Sequence, residues 1–119
     1  FISRNTKINK SQVYKTQIPN TKEALLTYTY KAASQKYHLL EINLHTGRHH
    51  QIRTQLSYIG SPIKGDLKYG AKRSNPNGGI SLHARSVTFM HPVTKQHMHI
   101  VAPCPQDDAL WQEFERSVL

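Results

Sequence analysis

The stretch Leu44–Gly70, LHTGRHHQIRTQLSYIGSPIKGDLKYG, decides how the rest of the chain is read. Up to Leu44 the apolar residues alternate: Leu40, Ile42 and Leu44 share one side and Leu39, Glu41 and Asn43 the other, as on a half-buried strand. The period then changes, because Ile52, Leu56 and Ile59 are spaced by four and three, as on the buried stripe of a short helix. Thr46-Gly47 is expected to open that helix and Gly60 to close it. With those three residues inward, His49, His50, Arg53 and Ser57 fall on the flank beside them. Arg53 is therefore expected at the edge of the core, half shielded from water. A planar guanidinium in that setting favours a carboxylate or phosphate that takes two of its donors at once. The plainer reading is a surface arginine paired with Glu41 or with a backbone carbonyl.

Working outward, Leu26, Tyr28 and Tyr30 alternate with Leu25, Thr27 and Thr29, so a strand is expected there. It should form an antiparallel hairpin with the Leu39–Leu44 run, turning around Ala33-Ser34. Residues 1–21 are polar and Lys-rich with Pro19-Asn20 near their end, which reads as an extended arm or weak strand without legible chemistry. Downstream, Pro62, Gly65, Gly70 and the Asn75–Gly79 cluster make residues 60–79 a long loop. The glycines and the proline read as backbone requirements of its turns, and Asp66 as a cap or tie of the turn. Two more strands are expected near 80–90 and 97–102, joined through His91-Pro92-Val93-Thr94. Asp107 should cap a final helix with Leu110, Phe114 and Val118 inward and Trp111 alongside. The class is α+β: an antiparallel mixed sheet with a short central helix and a C-terminal helix. At 119 residues the chain is expected to form a single unit.

Sixteen Lys and Arg face seven Asp and Glu, a formal charge of +9. Between Ile42 and Gln106 eight basic side chains meet one acid, Asp66. That balance favours an anionic partner, nucleic acid first among them. The single cysteine, Cys104, cannot form an internal disulfide, and no apolar run approaches the ~20 residues that span a bilayer. A cytoplasmic, reducing setting without a membrane partner is the expectation. The chain opens Phe1-Ile2-Ser3-Arg4, with neither an initiator Met nor a signal-peptide pattern, so a cut inside a longer protein is expected.

The central stretch resembles the C-terminal motif of RluA-type (RsuA/RluA family) RNA pseudouridine synthases. In that family a strand leads through T-G-R into a helix bearing H-Q-[IL]-R, followed by G-x-P-I-x-G-D-x-x-Y-G. Leu82-His83-Ala84, Phe89–Thr94 and Ala102-Pro103 resemble the closing hairpin, so the resemblance covers most of residues 22–106. It implies isomerisation of uridine to pseudouridine in ribosomal or transfer RNA, with no metal and no organic cofactor. It implies that this chain is the C-terminal half of a catalytic domain whose N-terminal half lies elsewhere. The arginine matching Arg53 would pair with the nucleophilic aspartate, orienting it and holding it ionised.

Arg48, His49, His50 and Gln51 stand at the helix start, where free amides favour anions, and are candidate RNA contacts. Lys64, Lys68, Tyr69, Lys72 and Arg73 combine cations with an aromatic face, the composition of a surface that tracks a backbone and stacks bases. Leu82 matches an apolar residue that the family tends to place near the target uracil. His49 departs from the family, which commonly has Thr or Ser there. The family's nucleophile sits in an R-L-D-x-x-[TS]-S-G-like motif, and the sequence has no Arg-Leu-Asp. Without that carboxylate the chain alone is expected to be inactive.

Three rivals remain on residues alone. A non-catalytic RNA-binding module would reuse the same basic surface. A helix-turn-helix DNA binder is opposed by Pro62 and Gly65, which stop a second helix. Metal binding is suggested by eight histidines, but no C-x-x-C pair or H-E-x-x-H arrangement supports it.

Overall fold

The computed structural model describes residues 1–118 and is α+β, with three antiparallel hairpins and two helices. The strands pair only within their own hairpins, so three two-stranded sheets replace one continuous sheet. The residues gather into two compact units, Phe1–Ser81 and the segment from Leu82 onward, where length alone suggests one. Each has its own buried cluster: Ile2, Leu56, Ile63 and Tyr69 in the first, Cys104 and Phe114 in the second.

The first unit opens with a hairpin where an extended arm is expected. Strand β1 (Ile2–Asn5) pairs with β2 (Lys10–Val13) in the register Ile2 to Val13 and Asn5 to Lys10. Ile2 also exchanges both backbone bonds with Lys22, N to O at 2.8 and 2.9 Å. The hairpin escapes periodicity because its inward anchor is polar: Ser11 is buried, and its amide and hydroxyl find partners outside the hairpin. Strands β3 (Leu26–Ala33) and β4 (His38–Leu44) form the expected hairpin, with Tyr28 opposite Ile42 and a bulge between Tyr30 and Ala32. Its turn is closed by Ser34 N donating to Tyr37 O at 2.8 Å.

Helix α1 (Gln51–Tyr58) begins later than Thr46-Gly47. The reason lies in Gln51, whose Oε1 accepts from Thr46 Oγ1 at 2.7 Å and Arg48 N at 3.0 Å, holding residues 46–48 as a bracketed loop. The expected apolar stripe is only partly inward: Leu56 is buried and Ile52 half-buried, but Ile59 ends the helix 56% exposed. Polar Gln51 and Thr54 take the remaining buried positions, Thr54 Oγ1 donating to Ser11 O at 3.2 Å.

Residues 60–79 form a closed loop with one 3-10 turn at Leu67–Tyr69. Buried Asn75 ties its ends, Nδ2 donating to Gly79 O at 3.0 Å and Ser81 Oγ at 3.1 Å while Oδ1 accepts from Lys64 Nζ at 2.6 Å. Gly65 has φ +86°, and a Cβ there would lie 2.6 Å from Asn75 Nδ2 and 2.7 Å from Gly79 O.

In the second unit, β5 (Ser86–Met90) pairs with β6 (His97–Val101) across a turn at residues 91–96, where His91 Nδ1 accepts from Val93 N and Thr94 N. Strand β5 is shorter than the 80–90 run, so Leu82 and His83 precede it. Helix α2 (Ala109–Ser117) is capped by Asp108, which accepts from Leu110 N at 2.8 Å, one residue after the expected Asp107. Phe114 is buried beneath it, Leu110 and Trp111 are half-buried, and Val118 follows the helix exposed. Among the described residues no helix is long and apolar enough to cross a membrane.

Gly65→Ala is expected to destabilise the first unit by about 2–4 kcal/mol, since it combines a left-handed backbone with contact against the carbonyl of Gly79. Urea titration followed by circular dichroism measures this. A loss below about 0.5 kcal/mol would mean the Gly65–Asn75 packing is not as described.

Candidate active site around Arg53

Helix α1 presents Arg53 on its flank, and the left-handed turn at Gly65 delivers Asp66 opposite it. Arg53 Nε donates to Asp66 Oδ2 at 2.9 Å and Nη2 to Oδ1 at 2.8 Å, a two-bond fork. The Asp66 side chain is 0% exposed and that of Arg53 20%. Glu41 is not the partner; it pairs with Lys31 at 3.6 Å. Asp66 ties the turn to α1 and makes no side-chain cap.

A third donor, Arg53 Nη1, lies 3.1 Å from His50 Nε2. A guanidinium can only donate, so Nε2 accepts and the ring proton sits on Nδ1. That proton is then given to Tyr69 Oη, 2.8 Å away, which also accepts from Ser11 N at 2.8 Å. Tyr69 keeps its own hydroxyl proton to donate. Burial and then the Arg53 charge push His50 down from 6.5 to about 4, so the imidazole is neutral at physiological pH. His50 occupies a left-handed backbone, φ 50°, and stacks on His49 with ring centroids 3.7 Å apart. The hydrogen bonds that Arg53 donates to Asp66 raise the pKa of Arg53 above its ordinary value.

The residues singled out from sequence separate into two groups. Arg53, His49, His50 and Tyr69 converge on one cluster, while Gln51 pairs with Thr46 and Arg48 on the loop before α1. Tyr69 is 5% exposed, with Arg53 Cζ 4.9 Å and Lys10 Nζ 5.5 Å from its ring centroid, so it is an internal support and offers no open face for a base. Gln51 is likewise buried, and its Nε2 has no partner among the described residues. His49 bridges Ser11 Oγ at 2.7 Å and Asn9 Oδ1 at 2.9 Å. Arg48 Nε donates to Glu23 O at 2.7 Å, Lys64 lies 5.5 Å over the Tyr37 ring, and Lys68 Nζ donates to Asn9 O at 3.1 Å. Lys72 and Arg73 are exposed on the loop. Leu82 belongs to the second unit and is exposed there. Sequence reading missed Ser11 and Asn9, which join the first hairpin to the cluster. Neither carries a charge or falls on a periodic face. Among the described residues no three His, Cys, Asp or Glu side chains gather as a metal would need.

A family model described as RNA pseudouridylate synthase matches residues 2–58, which span the first two hairpins and α1. By sequence the chain belongs to the RNA pseudouridine synthase family, and its resemblance is to the RluA type. Among individual relatives, the uncharacterized RNA pseudouridine synthase YjbO of Bacillus subtilis is 36% identical over 97 residues, 82% of this chain and 34% of that protein. The uncharacterized RNA pseudouridine synthase YlyB of the same organism is 44% identical over 75 residues, 63% of this chain and 25% of that protein. Ribosomal large subunit pseudouridine synthase D of Xylella fastidiosa is 36% identical over 99 residues, 72% of this chain and 30% of that protein. The matches thus span about a third or less of these curated relatives.

The neutral state of His50 has a pH signature. Unfolded, its imidazole protonates near 6.5; folded, it resists protonation down to about 4. Between those values the unfolded chain binds a proton the folded one refuses, so His50 makes stability fall as pH drops from 6.5 toward 4, and adds no further loss below that. Nitrogen-15 NMR of the histidine rings is expected to show His50 as the Nδ1–H tautomer with an apparent pKa below 5. A midpoint near 6.5 would contradict the assigned hydrogen bonds.

Proposed function

We propose that this chain supplies the arginine side of the active site and part of the RNA-binding surface of a longer RNA pseudouridine synthase, which isomerises uridine in ribosomal or transfer RNA. The observation that carries the reading is the state of Arg53. It stands in the T-G-R, H-Q-I-R, G-D-x-x-Y-G context, shielded and oriented by Asp66 and His50, with three of its five N–H donors engaged. Two donors remain for a further carboxylate, the role that a nucleophilic aspartate from elsewhere in the enzyme would fill. Asp66 thus sets the guanidinium plane and the incoming aspartate would use what is left.

Exposed cations at Lys68, Lys72 and Arg73, with Arg48 and Lys64 nearer the chain, suit RNA phosphates in this reading. Open apolar residues on β3–β4 (Tyr28, Tyr30, Leu44) with Leu25 just before them, and separately on β5–β6 (Val87, Phe89, Ile100, Val101), suit packing against the remaining part of a catalytic domain. Leu82 would approach the uracil, and no metal or organic cofactor takes part. A reducing, cytoplasmic setting fits the single buried Cys104, whose thiol burial pushes up.

The absence of Arg-Leu-Asp from the 119 residues favours one alternative, a non-catalytic RNA-binding module. Tritium release from RNA carrying 5-tritiated uridine distinguishes the two. The chain alone is expected to release none. The longer protein with an in-frame Arg-Leu-Asp motif should release tritium and lose about a hundredfold or more of that rate on Arg53→Ala. Release by the isolated chain, or an undiminished rate in the Arg53→Ala protein, would refute the assignment.

A further inference from the structure

Between β2, α1 and the 3-10 turn lies an open cleft of about 510 Å³ in the first unit. Its lining includes Lys10, Tyr58, Leu67 and Lys68, and none of the lining residues is acidic. Its walls are fixed by bonds already made: Thr54 Oγ1 donates to Ser11 O, Ser57 Oγ donates to Tyr69 O, and Ser11 N donates to Tyr69 Oη. The Thr54 and Ser57 hydroxyls are thus engaged in building the cleft, and what it presents to a ligand includes two ammonium groups, the exposed Gln12 side chain, the Tyr58 ring and the Leu67 side chain.

The two ammonium groups are placed differently. Lys68 Nζ is held on Asn9 O at 3.1 Å, at the tip of the first hairpin. Lys10 stands over the Tyr69 ring, Nζ 5.5 Å from its centroid. Both have N–H donors to spare, because an ammonium carries three. Tyr58, unlike buried Tyr69, is 49% exposed, and Leu67 beside it is also open. A half-open aromatic ring costs little conformational entropy to use and takes any base on its face. Cations flanking an accessible aromatic, without a carboxylate, form a surface for single-stranded nucleic acid, in which the phosphates meet lysine and a base meets the ring.

We propose that this cleft is a subsite for one unpaired nucleotide of the RNA, with Tyr58 stacking its base and Lys10 and Lys68 contacting its flanking phosphates. The inference rests on the RNA-binding part of the reading above, and it enlists the first hairpin, which the sequence left without chemistry. The volume suits a nucleotide, within the roughly 300–1,000 Å³ of ordinary ligand sites.

The test is fluorescence anisotropy of a labelled twelve-nucleotide oligouridine with the 119-residue chain at several salt concentrations. Circular dichroism of each variant confirms that it is folded. Tyr58→Ala is expected to weaken binding roughly 5- to 150-fold, as stacking on one base implies, and Tyr58→Phe to leave it within about twofold. Lys10→Ala and Lys68→Ala should each reduce the slope of log K against log salt by about 0.7. Lys36→Ala, on the β3–β4 turn, is the reference for a cation outside the cleft. If the unaltered chain binds and Tyr58→Ala binds equally well, the subsite is wrong while the RNA reading stands. If the unaltered chain fails to bind even at low salt, both fall.

Discussion

The fork between Arg53 and Asp66 is the constraint on which the rest of the first unit depends. A carboxylate with 0% exposure is tolerated only when its charge is met and its oxygens are hydrogen-bonded. Arg53 meets both demands at 2.8 and 2.9 Å, and so locks the loop after Gly65 against α1. The same guanidinium then fixes the histidine tautomer, because its third donor leaves His50 Nε2 no choice but to accept. His50 passes the order to Tyr69, and Tyr69 to Ser11 of the first hairpin. A connected set of hydrogen bonds therefore links the buried carboxylate to β2, with Arg53 donating to both Asp66 and His50 and Tyr69 Oη accepting from both His50 and Ser11 N. Such a pair contributes little net stability against an apolar replacement, and its value here lies in the single geometry it imposes.

Much of this was legible in the residues, and the gaps have physical causes. The β3–β4 hairpin and the turn at 91–96 followed from apolar alternation and Pro92 because their strands obey a period of two. The arginine at the edge of the core followed from the position of Arg53 beside Leu56, although Ile59 proved exposed. Its partner did not, because pairing across 13 residues through a glycine turn leaves no periodic trace. The first hairpin was invisible for a related reason: Ser11, Asn9 and Tyr69 hold it by hydrogen bonds, and polar anchors do not appear in a hydrophobic pattern. Helix α1 started late because Gln51 spends its side chain on the preceding loop, a local competition that cap propensities do not describe. The company of lysines suggests an open stacking face at Tyr69, but its ring is buried, with Arg53 and Lys10 against it.

The family relationship and the geometry divide the explanatory work. Similarity to RNA pseudouridine synthases over about a third or less of their length gives the family to which this segment is related. The geometry then states what the segment itself can do: hold one guanidinium rigidly, with two donors to spare, beside a neutral imidazole and a tyrosine hydroxyl that retains its proton. Under the proposed function, a guanidinium kept in place by an internal carboxylate would be prepared before a second carboxylate arrives, and such preorganisation is where an active site gains most of its electrostatic effect.

The most direct test is a double-mutant cycle on Arg53 and Asp66, measured by urea unfolding of the 119-residue chain. Removing either partner leaves the other without its ion pair, so Arg53→Met is expected to cost about 3–5 kcal/mol and the double change Arg53→Met with Asp66→Leu much less than the sum of the two single ones. Costs that simply add would show that the two side chains do not depend on one another, and the ordering of His50, Tyr69 and the first hairpin would need another origin.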